Sequence, residues 1–245
     1  MIITKELLDS TLNDFDVELF IKNDPCGIIH KLKERTDNQL DIEIGGLLTA
    51  MISWGSRKVI IPTAEYMIGH VMNWSPSEFI LTKAYEDSYR NAKNNCVYRT
   101  LNVDTFKQVC TNLHDAVKGY DNMEMVFEGK PTKEVISIIC NWLSPAKIGT
   151  IDRSACKRIC MFLRWMTRKS LPDLNLWKTR NENDLYAIMD VHVSNLTKDL
   201  LHTKRPSWKA CEELTSIFKS WDDADPLKYD IALMVLADKI NKTYK

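Results

Sequence analysis

The 245-residue sequence has little that breaks or bends a chain: it contains only eight glycines and eight prolines. Sheet proteins need frequent turns and alternating apolar positions, and neither pattern is present. Net charge is also lacking, since 33 basic residues are balanced by 33 acidic ones. A nucleic-acid partner would therefore be met by a local basic patch and not by the field of the whole molecule. There is no apolar run long enough to span a bilayer. The opening MIITKELLDSTLNDF shows neither the basic flank nor the apolar core of a signal peptide, so a soluble cytoplasmic protein with no membrane partner is expected. The seven cysteines, at 26, 96, 110, 140, 156, 160 and 211, form no Cys-x-x-Cys pair. Reduced, packed thiols are expected, with no metal and no cofactor. Cys156 and Cys160 lie one helical turn apart, but no second pair stands at ligand spacing.

What is present is apolar residues at three- and four-residue intervals throughout, which predicts an all-α chain. The first 38 residues accommodate two short helices with NDPCG as a turn. DIEIGGLLTAMISWGS reads as a long apolar helix capped by Gly55, with Gly45 and Gly46 admitting a close neighbour. SRKVIIPTAEYMIGHVMNW continues as helix with Pro62 in a first turn, and Ser75 before Pro76 starts another. NVDTFKQVCTNLHDAV and KPTKEVISIICNWLS are amphipathic, and Asp225 with Pro226 marks the start of the last helix. No repeat or linker interrupts the series, so one helical domain over residues 1–245 is expected.

On a helical wheel of RSACKRICMFLRWM, residues 153–166, Ala155, Ile159, Phe162, Leu163 and Met166 form one stripe. Lys157, Arg164 and Arg168 fall opposite. The plain expectation is a core-facing helix with a solvated basic back. Clustered Arg and Lys on that back could also meet phosphates. Further on, LYAIMDVHVSNLTKDLL runs apolar into Asp190 and resumes helical spacing through Val193, Leu196 and Leu200. Asp190 is expected to cap that helix, where backbone amides and the helix dipole keep a carboxylate ionised. His192 reads as a surface or capping histidine.

A lysine near a helix start, followed by apolar-apolar-Asp-Val-His, resembles the catalytic Lys and Asp of the helix-hairpin-helix (HhH-GPD) DNA glycosylases that are also lyases. The separation of 33 residues is similar to that of the archaeal 8-oxoguanine DNA glycosylases. ACKRICMFLRWM, MDVHV, DPLKYDIAL, DIEIGGLLTAMISWGSRKVI and YRTLNVDTF, together spread over most of the chain, resemble a bacterial family of unknown function distantly related to them.

The resemblance implies two helical lobes with a cleft between them, a hairpin and catalytic helix at about 145–168, and a second site segment at about 186–201. It implies damaged duplex DNA as partner, excision of an oxidised base such as 8-oxoguanine through a Schiff base on Lys157 with Asp190 assisting, and Arg153, Arg158, Arg164, Arg168 and Lys169 on the nucleic-acid side. The chain departs from the pattern in two places. KIGTIDRSACKR keeps only Gly149 of the usual Gly-x-Gly, and the four-cysteine iron–sulfur loop of many relatives is absent. Trp54, Trp142 and Trp165 are the residues available to stack on an extruded base. Two other readings remain open: a nucleic-acid-binding protein without catalysis, and a helical interaction protein.

Overall fold

Thr4, whose hydroxyl accepts the Leu7 N–H, begins the first helix, α1 (Lys5–Asn13). The structure, a computed structural model, describes residues 2–243; the expected domain over 1–245 includes Met1, Tyr244 and Lys245, which lie outside the described residues. Two more short helices follow, α2 (Val17–Lys22) and α3 (Cys26–Lys33), where the sequence suggested two in all. The NDPCG turn is real but short, and α3 starts inside it at Cys26.

In α4 (Gln39–Ile52) every residue from Leu40 to Ile52 is buried. An all-round apolar helix belongs in a core, and its two carboxylates are there because each finds backbone donors. Asp41 accepts the Ser77 N–H at 2.7 Å, and Glu43 accepts the Met123 N–H at 2.5 Å. A Cβ on Gly45 would lie 2.5 Å from Leu32 Cδ2, so the close approach expected there occurs. Gly55 does not cap α4. The helix stops at Ile52, and Gly55 sits three residues on in a left-handed turn (φ +104°).

Next come α5 (Arg57–Glu65), with Pro62 at its sixth position and not in a first turn, and a π-helical turn over Tyr66–Val71. After α6 (Pro76–Leu81), a small antiparallel hairpin, β1 (Cys96–Tyr98) and β2 (Leu101–Asn102), adds strand that the sequence did not suggest. Asn102 then caps α7 (Val103–Val117), followed by α8 (Met123–Val126) and α9 (Thr132–Trp142).

The remaining helices are α10 (Lys157–Thr167), α11 (Val191–Leu196), α12 (Trp208–Trp221) and α13 (Lys228–Thr243). With 61 % helix and 2 % strand, the chain is mostly helical, as its periodicity implies. Asp225 does not cap α13, which starts at Lys228; its carboxylate is taken by Arg168 instead.

The chain divides into two compact units. One is Glu18–Ile148, in which α4 packs on α3, α5 and α6. The other joins Met1–Val17 to Gly149–Lys245, with α13 packed on α1 and α11. The expected hairpin segment at 145–168 straddles the boundary, and from Gly149 onward it belongs with the second unit.

Candidate functional site

The segment leading into α10 is a tight turn. Thr150 O accepts both the Arg153 and the Ser154 N–H, and Ser154 Oγ accepts the Cys156 N–H at 3.1 Å. A Cβ on Gly149 would lie 2.4 Å from Ser154 Oγ, so glycine is needed for this closure. Cys156 takes a left-handed conformation (φ 47°) as the residue before the helix, which makes Lys157 the first helical residue, four positions later than the quoted stretch begins.

The second segment, 185–190, has no helical or strand partner, so its buried amides must be satisfied by side chains. Thr215 Oγ1 on α12 accepts the Ala187 N–H at 2.9 Å. Asp230 on α13 accepts the Ile188 N–H at 3.1 and 3.2 Å with its two oxygens. Cys211 Sγ donates to Ala187 O at 3.0 Å. Three side chains from two helices thus fix the residues just before Asp190.

Asp190 caps α11, as its position suggests: Oδ1 accepts the Val193 N–H at 2.9 Å. Its other oxygen, Oδ2, lies 2.7 Å from Lys157 Nζ. The pair is neither buried nor free, with 37 % of the lysine side chain and 23 % of the aspartate side chain exposed. Partial burial works to raise the Asp190 carboxyl, but the Lys157 ammonium, the Val193 amide and His192 outweigh it and hold the group below its ordinary range. Electrostatics explains the pairing. A cation at the first residue of α10 faces the positive helix end, whereas a carboxylate at the start of α11 is favoured there and can compensate it. Val191 and His192, immediately after Asp190, are exposed.

The solvated basic back is not found. Arg164 is 1 % exposed and Arg168 4 %. Arg164 Nε meets Asp173 Oδ1 at 3.2 Å, and Arg168 bridges Asp173 Oδ2 at 3.1 Å to Asp225, which it holds through Nε–Oδ1 at 2.8 Å and Nη2–Oδ2 at 2.7 Å. Assignment of these two arginines to a phosphate surface is therefore corrected: they are structural cations, buried because two carboxylates and the Ser170 and Leu171 carbonyls surround the Arg168 head. Lys169 is exposed and stands 3.5 Å from Glu182; Arg153 is exposed and Arg158 half-buried.

The three tryptophans are occupied. Trp165 is fully buried, Trp142 stacks on Phe127 at 5.1 Å, and Trp54 lies under the Arg99 guanidinium at 4.2 Å. Cys156 Sγ donates to Gly149 O at 3.4 Å and Cys160 Sγ to Ala155 O at 3.8 Å. Among the described residues no group of three or more His, Cys, Asp or Glu side chains is placed to hold a metal ion. No helix of the described residues is long and apolar enough to cross a membrane.

Sequence reasoning missed Thr215, Asp230 and Cys211, because a side chain that clamps a distant backbone leaves no local pattern. No curated protein and no solved structure matches this sequence. Residues 24–238 match the model of a family described as a protein of unknown function (DUF2400), and the chain belongs to that family.

Proposed function

We propose that this protein is a DNA repair glycosylase with abasic-site lyase activity, built on an HhH-GPD-like helical fold and acting on an oxidised base such as 8-oxoguanine. The observation that carries the reading is the 2.7 Å approach of Lys157 Nζ to Asp190 Oδ2 across 33 residues of sequence, in a setting open enough to be reached. The resemblance expects an amine and a carboxylate with these roles, and the geometry is what such a reaction requires.

In this reading a target nucleotide is turned out of the duplex, at a few kcal/mol of unstacking and unpairing. Lys157, having given one proton to solvent, attacks C1′ of the sugar; the C1′–N bond breaks, the base leaves with the bonding pair, and Asp190 passes to it the proton that the newly bonded nitrogen gives up. Asp190 stabilises the positive charge that develops on the sugar. The nitrogen lone pair then expels O4′, which takes up a proton as the sugar ring opens, and leaves an iminium at C1′; the C2′ proton passes to Asp190 or solvent and the 3′ phosphate departs with its bonding pair. No step needs a redox partner. Arg153, Arg158 and Lys169 remain as contacts to the backbone.

A second reading, binding of nucleic acid without catalysis, is favoured by the hairpin, where only Gly149 of the usual Gly-x-Gly remains. One experiment divides the two. Duplexes carrying 8-oxoguanine or an abasic site are incubated with the protein and borohydride. The expected result is a trapped covalent adduct that is absent in Lys157→Gln and much reduced in Asp190→Asn, with both variants folded. No adduct from the wild-type protein on any damaged duplex overturns the catalytic reading.

A further inference from the structure

We infer that the loop between α11 and α12, residues 197–207, is a phosphate-binding surface that holds the sugar–phosphate backbone of duplex DNA beside the Lys157–Asp190 pair. The inference deepens the nucleic-acid reading proposed above and rests on it. The stretch TKDLLHTKRP, residues 197–206, carries Lys198, Lys204 and Arg205 against Asp199, a formal charge of 3 − 1 = +2 in a chain whose total is zero. All three cations are exposed. Several other cations of this unit are committed: Lys5, Arg164, Arg168, Lys169 and Lys228 each stand against a carboxylate. None of Lys198, Lys204 and Arg205 forms an ion pair among the described residues. A cluster left without counter-charges in an otherwise balanced chain is the electrostatic footprint of a polyanion partner.

The loop is also held in place. Glu213 on α12 accepts the backbone N–H groups of His202 at 2.7 Å and Thr203 at 3.3 Å, and sits 2.5 Å from His202 Nδ1. That carboxylate is consumed in fixing the loop. Ser194 Oγ donates to Lys204 O at 3.1 Å, which fastens the basic end of the loop to α11, within one helical turn of its cap, Asp190. The cations are therefore displayed from an anchored backbone next to the candidate site. These residues also take the place of the buried Arg164 and Arg168 as phosphate contacts.

The test uses the full chain and a short undamaged duplex, with binding followed by fluorescence anisotropy between about 50 and 200 mM salt. A protein that neutralises phosphates shows log affinity falling with log salt by about 0.9 per contact. The expected result is that Lys198→Gln/Lys204→Gln/Arg205→Gln has a slope shallower by roughly 2–3 and binds about 100-fold more weakly near physiological salt. Lys5→Gln, at a lysine paired with Asp9 and outside the proposed surface, should leave the slope unchanged.

Equal slopes for the wild-type protein and the triple variant, or no binding of duplex DNA by the wild-type protein, overturn the inference, as does a variant effect confined to single-stranded RNA. The outcome is separable from the lyase reading. Salt-sensitive binding by this loop without any borohydride-trapped adduct leaves the surface standing and removes the catalysis. A trapped adduct with equal slopes does the reverse.

Discussion

Asp190 divides its carboxylate between two helices: Oδ1 accepts the Val193 N–H at the start of α11 while Oδ2 holds the Lys157 ammonium at the start of α10. Because the two jobs use different oxygens, they can be separated by substitution. Asp190→Asn keeps an oxygen for the cap and loses the charge, whereas Asp190→Ala loses both.

Asp190→Ala should lower stability by about 1–2 kcal/mol, most of it from the cap, since a partly exposed ion pair contributes only about 0–1 kcal/mol. Asp190→Asn should lower it by less. The folded carboxyl is held below its ordinary value, so its contribution is present above the ordinary carboxylate range and disappears as pH falls through the lower folded value. Urea unfolding at neutral and at strongly acidic pH checks this: the difference between wild type and Asp190→Asn should shrink in acid.

Asp173 is fully buried between Arg164 and Arg168. Asp173→Ala strands the Arg164 guanidinium in the core and leaves Arg168 with Asp225 as its carboxylate partner, and should cost about 3–5 kcal/mol, visible as a large fall in the thermal midpoint. Lys169→Ala, whose side chain is 65 % exposed, should change stability by no more than about 0.5 kcal/mol. Equal midpoints for the two variants would contradict the burial argument.

Asp230 behaves in the opposite sense to Asp190. Burial pushes its carboxyl up to about 7, against the opposing pull of Arg164, the Ile188 amide and Arg168, while the neighbouring Asp173 adds to the rise. The folded protein therefore keeps a proton that the unfolded chain releases near its ordinary value of 3.8, and stability falls as pH climbs from about 4 to about 7. Asp230→Asn cannot ionise and keeps an oxygen for the Ile188 N–H. Its stability relative to wild type should rise between about pH 4 and pH 7, which paired urea titrations measure.

Of seven free cysteines, Cys96 is exposed and the other six are buried. The Cys160 thiol is pushed well up by its contact with Cys211 and by burial, and burial raises Cys110 as well, so neither supplies a reactive thiolate. A disulfide reagent should therefore titrate one thiol quickly in the native protein and seven after unfolding. Cys96→Ser should remove the fast phase. Two or more fast thiols would show that the packing around the buried ones opens readily.

The helices whose apolar spacing is clean, such as Val103–Val117 and Thr132–Trp142, are where the sequence places them, because a 3.6-residue period and a cap are local properties. Boundaries that depend on neighbours are displaced. Pro62 and Asp225 carry start signals, yet one is interior to a helix and the other is bound by an arginine. The hairpin at Cys96–Asn102 had no legible signal because its strands are two or three residues long.

By itself the sequence determined a mostly helical chain, a cap at Asp190 and a lysine at the start of a helix, all consequences of residue type and spacing within one segment. Tertiary structure alone decided which charges are exposed and which are core. Arg164, Arg168 and Lys157 look alike on a helical wheel. Asp173 and Asp225, 5 and 57 residues from Arg168, neutralise it well enough to be buried, whereas Lys157 meets only the half-open Asp190. A cation's environment is set by the carboxylates the fold brings to it, and a helical period carries no information about them.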